Sequence, residues 1–303
     1  MIIDTYYPVL IPTLCRFEHF KRCVETLSAC THADKTTLYI ALDYPLKEDH
    51  WEGYRKISSF IDSIEGFENV IVLKQEKNLG PAQNIKRAKE VIFDKYDAYI
   101  FSEDDNEFSP NFLDYMNKCM NRFKDDSSIY AVCGYNFPVD FGNYKKNIYF
   151  NHLCSAWGIG RWRYKEIPIE ISSVKSILGS LRQVIRIYYY NPKYLLSLLR
   201  MVQKEVVYGD LLICAYSIAQ NKLCVFPTVS KVKNHGHDGT GQNSTVVGVQ
   251  KYESQVIDQN SSFDLDIIPK ERLRCRNMDK YLDISLGQKI KLIPKLLLYW
   301  IRH

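Results

Sequence analysis

Several absences narrow the reading of this 303-residue sequence. No run is long and apolar enough to cross a bilayer, which takes about 20 residues. No secretory leader is expected, because Asp4 interrupts the start and no long apolar stretch follows; the expectation is a cytoplasmic protein. The nine cysteines include no Cys-x-x-Cys pair, so a zinc ribbon is excluded. They are odd in number and scattered, and Cys15, Cys23, Cys133 and Cys214 lie among apolar neighbours. They read as free thiols of a reducing compartment. No internal repeat is present, and a net charge of +5 without a recognised binding motif argues against nucleic acid as a partner. Acidic residues are missing from residues 174–204 and from Lys289 onward.

What is there is an ordinary globular composition, 46% apolar and 25% charged, with 22 tyrosines. The length suits one large α/β domain with an elaborated C-terminal part. Apolar runs at 7–11, 38–42, 70–73, 99–101 and 129–133 read as strands. Between them come amphipathic helices: Phe17, Phe20, Val24 and Leu27 share one face, and Trp51, Tyr54, Ile57, Ile61 and Ile64 another. Asn78-Leu79-Gly80-Pro81 is a turn feeding a third helix, with Ala82, Ile85, Ala88 and Ile92 facing inward. Repeated strand–helix alternation predicts a mostly parallel sheet with helices on both faces.

The stretch Tyr99-Ile100-Phe101-Ser102-Glu103-Asp104-Asp105 is the centre of this pattern. A buried strand ends in three consecutive carboxylates, and Ser109-Pro110 is expected to cap a helix over 111–122. The carboxyl ends of parallel strands are where α/β sheets bind ligands. Adjacent carboxylates repel, so a divalent cation or a hydroxyl-rich ligand would offset them; a solvated acidic loop is the competing account. Three more segments converge on that edge. Pro12, Thr13 and Arg16 offer donors for a phosphate or a base edge. Asp43 closes the second strand and can accept from a uracil imide, or merely form a turn. Asn84 and Arg87 lie one turn apart on the helix that Asn78 and Gly80 introduce, a face that simple solvation also explains.

This ordered set, Pro-Thr-x-x-Arg, a strand-end Asp, Asn-Leu-Gly-Pro, Glu-Asp-Asp and Ser-Pro-x-Phe, resembles the GT-A glycosyltransferases. The nearest resemblance is to bacterial family-2-like enzymes and, more distantly, to the N-acetylglucosaminyltransferase I type with its Glu-Asp-Asp version of the DxD motif. It continues through Ala156-Trp157-Gly158-Ile159-Gly160-Arg161-Trp162-Arg163, Tyr208-Gly209-Asp210, Pro227 and 234–241, covering roughly residues 7–243. It implies a nucleotide-sugar donor, a UDP-sugar favoured, and Mn²⁺ or Mg²⁺ held by Asp105. Glu103 and Asp104 would hold ribose hydroxyls or orient the loop, and Asp210 would act as base in an inverting transfer to a glycan or lipid-linked acceptor. Relatives often carry a histidine after the closing glycine pair. Here that place reads Gly241-Gln242-Asn243, and His235 and His237 stand earlier as candidate ligands. Trp157, Gly158 and Arg161 are candidates for the acceptor side, where an indole face can stack on a sugar or simply plug a core.

Two alternatives stay open. Sugar-1-phosphate nucleotidyltransferases share a related sheet, but Ile11-Pro12-Thr13 supplies no glycine-rich loop; a non-catalytic glycan-binding module is the other. The expected organisation is a catalytic domain over 1–243, its nucleotide-sugar half about 1–135 and acceptor half about 136–243. A basic helical insertion occupies about 172–204, and a basic extension runs over 244–303. The extension's lysines, leucines, Tyr299 and Trp300 suit a helix starting near Pro294 and lying on an anionic membrane surface, or one docked on its own domain.

Overall fold

The computed structural model describes residues 3–239, 255–273 and 286–302. Eight described strands form one mixed sheet: β1 (Val9–Thr13), β2 (Thr37–Leu42), β3 (Asn69–Lys74), β4 (Ala98–Phe101), β6 (Ile129–Cys133), β7 (Ile148–Asn151), β8 (Ile159–Trp162) and β9 (Leu223–Pro227). Their order is β3-β2-β1-β4-β8-β6-β9-β7. The β3–β2, β2–β1, β1–β4 and β6–β9 pairs are parallel. β8 runs antiparallel between β4 and β6, and β7 antiparallel to β9. Only β7 and β8 therefore oppose the common direction. A separate ribbon pairs β5 (Asn106–Phe108) with β10 (Val232–Asn234), placing Asn234 opposite Asn106.

Alternation sorts the strand side chains onto two buried faces. Val9, Ile11, Leu38, Ile40 and Ile100 meet α1 (Phe17–Ser28), α2 (His50–Ile61) and α4 (Phe112–Phe123) on one side. Leu10, Tyr39, Ala41, Tyr99 and Phe101 pack with Ala88 and Ile92 of α3 (Gly80–Phe93) on the other. The expected α/β sheet with helices on both faces is what the chain forms. Strand β1 lies two residues later than the sequence suggests. Helix α4 begins at Phe112, without the Ser109 side-chain cap. The Ser109 hydroxyl donates to Asn111 Oδ1 at 3.0 Å, and Asn111 is in turn held by Asp258 and the Ser262 carbonyl.

A third core is wholly helical. Helices α5 (Ile171–Gly179), α6 (Leu181–Tyr190), α7 (Lys193–Lys204), α8 (Gly209–Ala219) and α9 (Leu286–Arg302) bury Val174, Ile187, Leu198, Leu212, Leu292 and Leu296 together. The acid-free insertion and the C-terminal helix thus share one packing layer. The expected 243/244 boundary lies outside the described residues. Helix α9 does not start near Pro294; it runs through it. Ile290 and Pro294 both lie on its exposed side, so water can serve the carbonyl that a proline cannot. No described helix is long and apolar enough to cross a membrane. The described cysteines are all free thiols; Cys15 and Cys154 are half-buried and the others buried.

Gly53 fixes how α2 meets the loop after β1. A Cβ there would stand 1.8 Å from the Cys15 carbonyl oxygen, which is backbone and cannot swing aside. Glycine to alanine in a helix ordinarily stabilises by about 0.5–1 kcal/mol. Gly53→Ala should instead destabilise, by about 1–3 kcal/mol for a forced backbone shift. Urea denaturation at fixed pH reads the sign; a gain in stability would show that α2 does not sit on Cys15.

Candidate active site

The sheet parts where the acids begin. β1 and β2 pair over five positions to Thr13–Leu42, whereas the β1–β4 register ends at Leu10–Phe101. Pro12, half-buried beyond that point, has no N–H to offer a neighbour. Thr13 and Asp43 stay together, the Asp43 amide donating to the Thr13 carbonyl at 3.0 Å. Glu103, Asp104 and Asp105 leave β4 across the resulting crevice, the position at which open α/β sheets take ligands.

Arg16 closes the acidic turn from the opposite wall. Its guanidinium bonds Asp104 through one nitrogen and reaches Asp105 Oδ2 at 2.8 Å through the other. Thr13 Oγ1 donates to Asp104 Oδ2 at 2.9 Å. Burial works against the Arg16 charge, but Asp104 and Asp105 more than offset it and hold the group protonated. Burial raises Asp104 above the usual carboxylate range, with Arg16 pulling it back. Arg16, expected to face a phosphate or base, is thus turned onto the acids.

Burial, and next the charges of Asp105 and Asp104, push the Glu103 carboxyl up from 4.5 to about 7. The Trp157 indole hydrogen-bonds to it and works the other way. Trp157 also stands edge-on to Tyr135, with centroids 4.7 Å apart, and to His237 at 5.6 Å. It therefore joins the acidic turn to the segment after β10. Gly158 beside it has φ +68°, and a Cβ there would meet Val232 and Phe112, so its task is close packing.

The β5–β10 ribbon carries that segment over the acids. Asn234 Nδ2 donates to Asp105 Oδ1 at 2.5 Å and to Asn106 Oδ1 at 3.0 Å. The His235 amide donates to the Asp105 carbonyl at 2.8 Å. Gly236 lies so close that a Cβ would stand 2.1 Å from Asp105 Oδ2. His235 turns away, its Nε2 2.6 Å from Glu107 Oε2. Among the described residues, no three His, Cys, Asp or Glu side chains converge in a ready metal cage.

Asp43 ties the next loop down. Its Oδ1 accepts from the amides of Tyr44 and Leu79, both at 2.9 Å; its Oδ2 has a longer contact, 3.4 Å, to Asn78 Nδ2. Asn78 Nδ2 also donates to the Tyr44 carbonyl at 2.6 Å. Gly80 turns the chain into α3 at φ +72°, a conformation that favours glycine. Asn84 and Arg87 serve the frame: Asn84 is buried and donates to the Ala41 carbonyl at 2.8 Å, and Arg87 donates to Gln75 Oε1 at 3.1 Å. Gln75 bridges both, donating to Asn84 Oδ1 at 3.1 Å. Arg161 lies within β8, where it donates to the Tyr99 hydroxyl at 2.6 Å and pairs with Glu166 at 3.5 Å. Its charge is taken up inside the fold and not on an acceptor surface.

Asp210 is exposed in the first turn of α8, where helix polarity favours an acid. The cap position is Tyr208, without a side-chain cap bond, so Asp210 is not the N-cap. One turn on, Cys214 Sγ lies 3.2 Å from Cys154 Sγ, three residues before Trp157. Asn106 and Gln75 were given no role by sequence reasoning, whereas Asn234 and Gly236 lie in the 234–241 stretch that carries the resemblance.

No protein-family model matches the chain, and no curated protein matches it. Among solved structures it is similar to residues 1–349 of TarS from S. aureus, at 11% identity and TM-score 0.40, covering 73% of this chain and 58% of that one. The same fragment in complex with UDP-GlcNAc matches at 12% identity and TM-score 0.37, over 73% and 56%. The Pyrobaculum calidifontis mannosyltransferase PcManGT, in complex with GDP-Man and Mn²⁺, matches at 10% identity and TM-score 0.42, over 71% and 69%. The chain spans a little over half the length of the TarS fragment it matches.

The elevated Glu103 gives a pH signature. A carboxyl whose pKa rises on folding favours the folded state when protonated. Its contribution is full below about 4.5 and is lost as pH rises through about 7. Wild-type stability should therefore fall relative to Glu103→Gln between pH 5 and pH 8, measured by denaturant titration in chelator. Parallel profiles would mean that another group titrates.

Proposed function

We propose that this chain is a GT-A-type glycosyltransferase that moves a sugar from a nucleotide-diphosphate sugar, a UDP-sugar favoured, to a glycan or lipid-linked acceptor with inversion. One observation carries the reading: the Glu103-Asp104-Asp105 turn stands at the parting of β1 and β4, with the bare Cα of Gly236 against Asp105 Oδ2. Only glycine lets the backbone after β10 come that close to the carboxylate, so the segment carrying His237 is held directly against Asp105.

The donor set fits Mn²⁺ or Mg²⁺. Such ions bind through one or two carboxylates and take their remaining ligands from phosphate and water, which agrees with two acids and no closed cage. Asp105 would hold the ion, with Glu103 and His237 beside it. When bound, the cation stabilises the negative charge of a departing diphosphate. The chain's own residues do the rest. Arg16 bridges Asp104 and Asp105 and holds them in register. Asp43 Oδ2, the less engaged oxygen, accepts from the base, and the Asn78–Gly80 turn borders it. Trp157 orients Glu103 and offers a ring to the acceptor. Asp210 takes the proton of the acceptor hydroxyl. Its helix is tied through Cys214 and Cys154 to the Trp157 loop, so acceptor and base are positioned together.

Paired variants test this. Asp105→Asn should abolish Mn²⁺-dependent UDP binding in calorimetry, because a neutral amide is a poor ligand. Asp210→Asn should bind UDP-sugar normally yet release nucleoside diphosphate with acceptor at least about a hundredfold more slowly. Pyrophosphate release would point to nucleotidyl transfer. Normal turnover by Asp210→Asn would remove it as the base.

The membrane assignment extends the same proposal. Helix α9 has two apolar sides. Leu292 and Leu296 are buried in the third core, and Trp300 Nε1 donates to the Leu178 carbonyl at 2.7 Å. Ile290, Ile293, Leu297 and Ile301 stay 46–81% exposed, beside exposed Lys291 and Lys295. We propose that this outer face lies on an anionic membrane surface, where a lipid-linked acceptor is confined. Full-length protein should float with phosphatidylglycerol vesicles at low salt and be released by high salt. Combined Ile293→Ser, Leu297→Ser and Ile301→Ser, which spares the docked side, should cut flotation about tenfold and leave transfer to a soluble acceptor unchanged. Absence of wild-type flotation would end the assignment.

A further inference from the structure

A second concave site lies away from the acidic turn. Arg182, Ile185, Arg186, Tyr189 and Tyr190 of α6, together with Arg272, line a cleft of about 470 Å³. Its lining holds three guanidinium groups, two phenol rings and no carboxylate. On the α6 side, α5, α6 and α7 supply no acid from Ile171 to Lys204, so the field around Arg182 and Arg186 is positive there.

The walls of the cleft are fixed. Arg186 Nη1 donates to the Ala219 carbonyl at 2.7 Å. The Arg272 guanidinium lies 4.2 Å from the Tyr190 ring centroid, and its backbone bridges Phe150 of β7. The Tyr190 hydroxyl bonds to Asn151 Oδ1. Arg182 and Tyr189 are exposed at the rim, Tyr189 at 84%. The positive field is felt next door. His152, edge-on to Tyr190 with centroids 5.1 Å apart, has its pKa lowered chiefly by burial and further by Arg272 and Arg186.

We propose that this cleft is a phosphate-binding site, which takes a phosphate or phosphodiester group among Arg182, Arg186 and Arg272 and lays the attached apolar or ring portion on Tyr189. Planar guanidiniums converging from two elements match phosphate oxygens, and an exposed tyrosine at the rim offers a face for whatever the phosphate carries. The site is separate from the acidic turn and from the proposed base. Arg186 grips Ala219, the last residue of α8, and Asp210 stands in its first turn, so nine residue steps, about 14 Å of helix, part them.

The test compares Arg182→Gln with Lys175→Gln, an equal loss of charge from an exposed position of the same acid-free segment outside the cleft. Full-length proteins are titrated calorimetrically with inorganic phosphate, and in parallel with phosphatidylglycerol and phosphatidylcholine vesicles. A site for soluble phosphate predicts that Arg182→Gln weakens phosphate binding about tenfold or more, as expected for one charge-assisted contact, while Lys175→Gln matches wild type. A headgroup site predicts the same contrast with phosphatidylglycerol vesicles alone. Equal effects of the two substitutions on both probes, or no binding of either probe by wild type, would overturn the proposal. Both altered side chains are exposed, so melting temperatures should match wild type and a folding defect is separable. Nucleotide-sugar binding at the acidic turn should be the same in all three proteins, which keeps this outcome independent of the catalytic reading.

Discussion

The Arg16 bridge to Asp104 and Asp105 is the constraint on which the site depends. Three consecutive carboxylates at one strand end are unstable neighbours, and burial makes them more so. A single guanidinium reaching two of them sets the position of the loop after β1, and the Thr13 hydroxyl and the Asn234 amide complete the set. Glu103, the member Arg16 does not bond, has its pKa raised chiefly by burial and next by the charges of Asp105 and Asp104. The turn therefore holds one carboxyl whose protonated form burial favours, beside two that Arg16 bridges.

Much of the fold was legible because the strands follow simple rules. Leu38, Ile40 and Leu42 alternate with Tyr39 and Ala41, and both sets are buried, as a sheet covered on both faces requires. That the acids, Thr13, Arg16, Asp43 and Asn78 meet at one edge of the sheet was legible because each follows a strand or precedes a helix. Less legible were partners defined by distance alone. Asn84 and Arg87 have the helical spacing of a ligand-facing pair, yet both are satisfied by Ala41 and Gln75. Arg161 reads as an acceptor-side residue, but β8 inserts it between β4 and β6, against Tyr99 and Glu166. Periodicity reports which way a residue faces on its own element; it says nothing of what the other element brings.

The C-terminal helix shows the same limit differently. Its sequence supports a membrane-facing helix and a docked helix equally, because apolar residues line more than one side. The structure satisfies one side with the α5–α8 layer and leaves the other apolar. Pro294 does not end the helix because its missing hydrogen bond falls on the wet side.

The place of β8 has a consequence for how the protein is made. Ala98 pairs with Trp162, so β4 lacks its second neighbour until the chain has grown well past the acids. Asp105 gains the Asn234 and His235 contacts only after the third core's first four helices have been traversed. Pairings so distant in sequence are slow to form. During synthesis the acidic turn therefore emerges with its charges unshielded by the ribbon, and early folding must rest on the local β1–α1–β2–α2–β3 unit. Ribosome-bound chains shorter than about 240 residues, exit tunnel aside, would hold a formed half-sheet and an unassembled site.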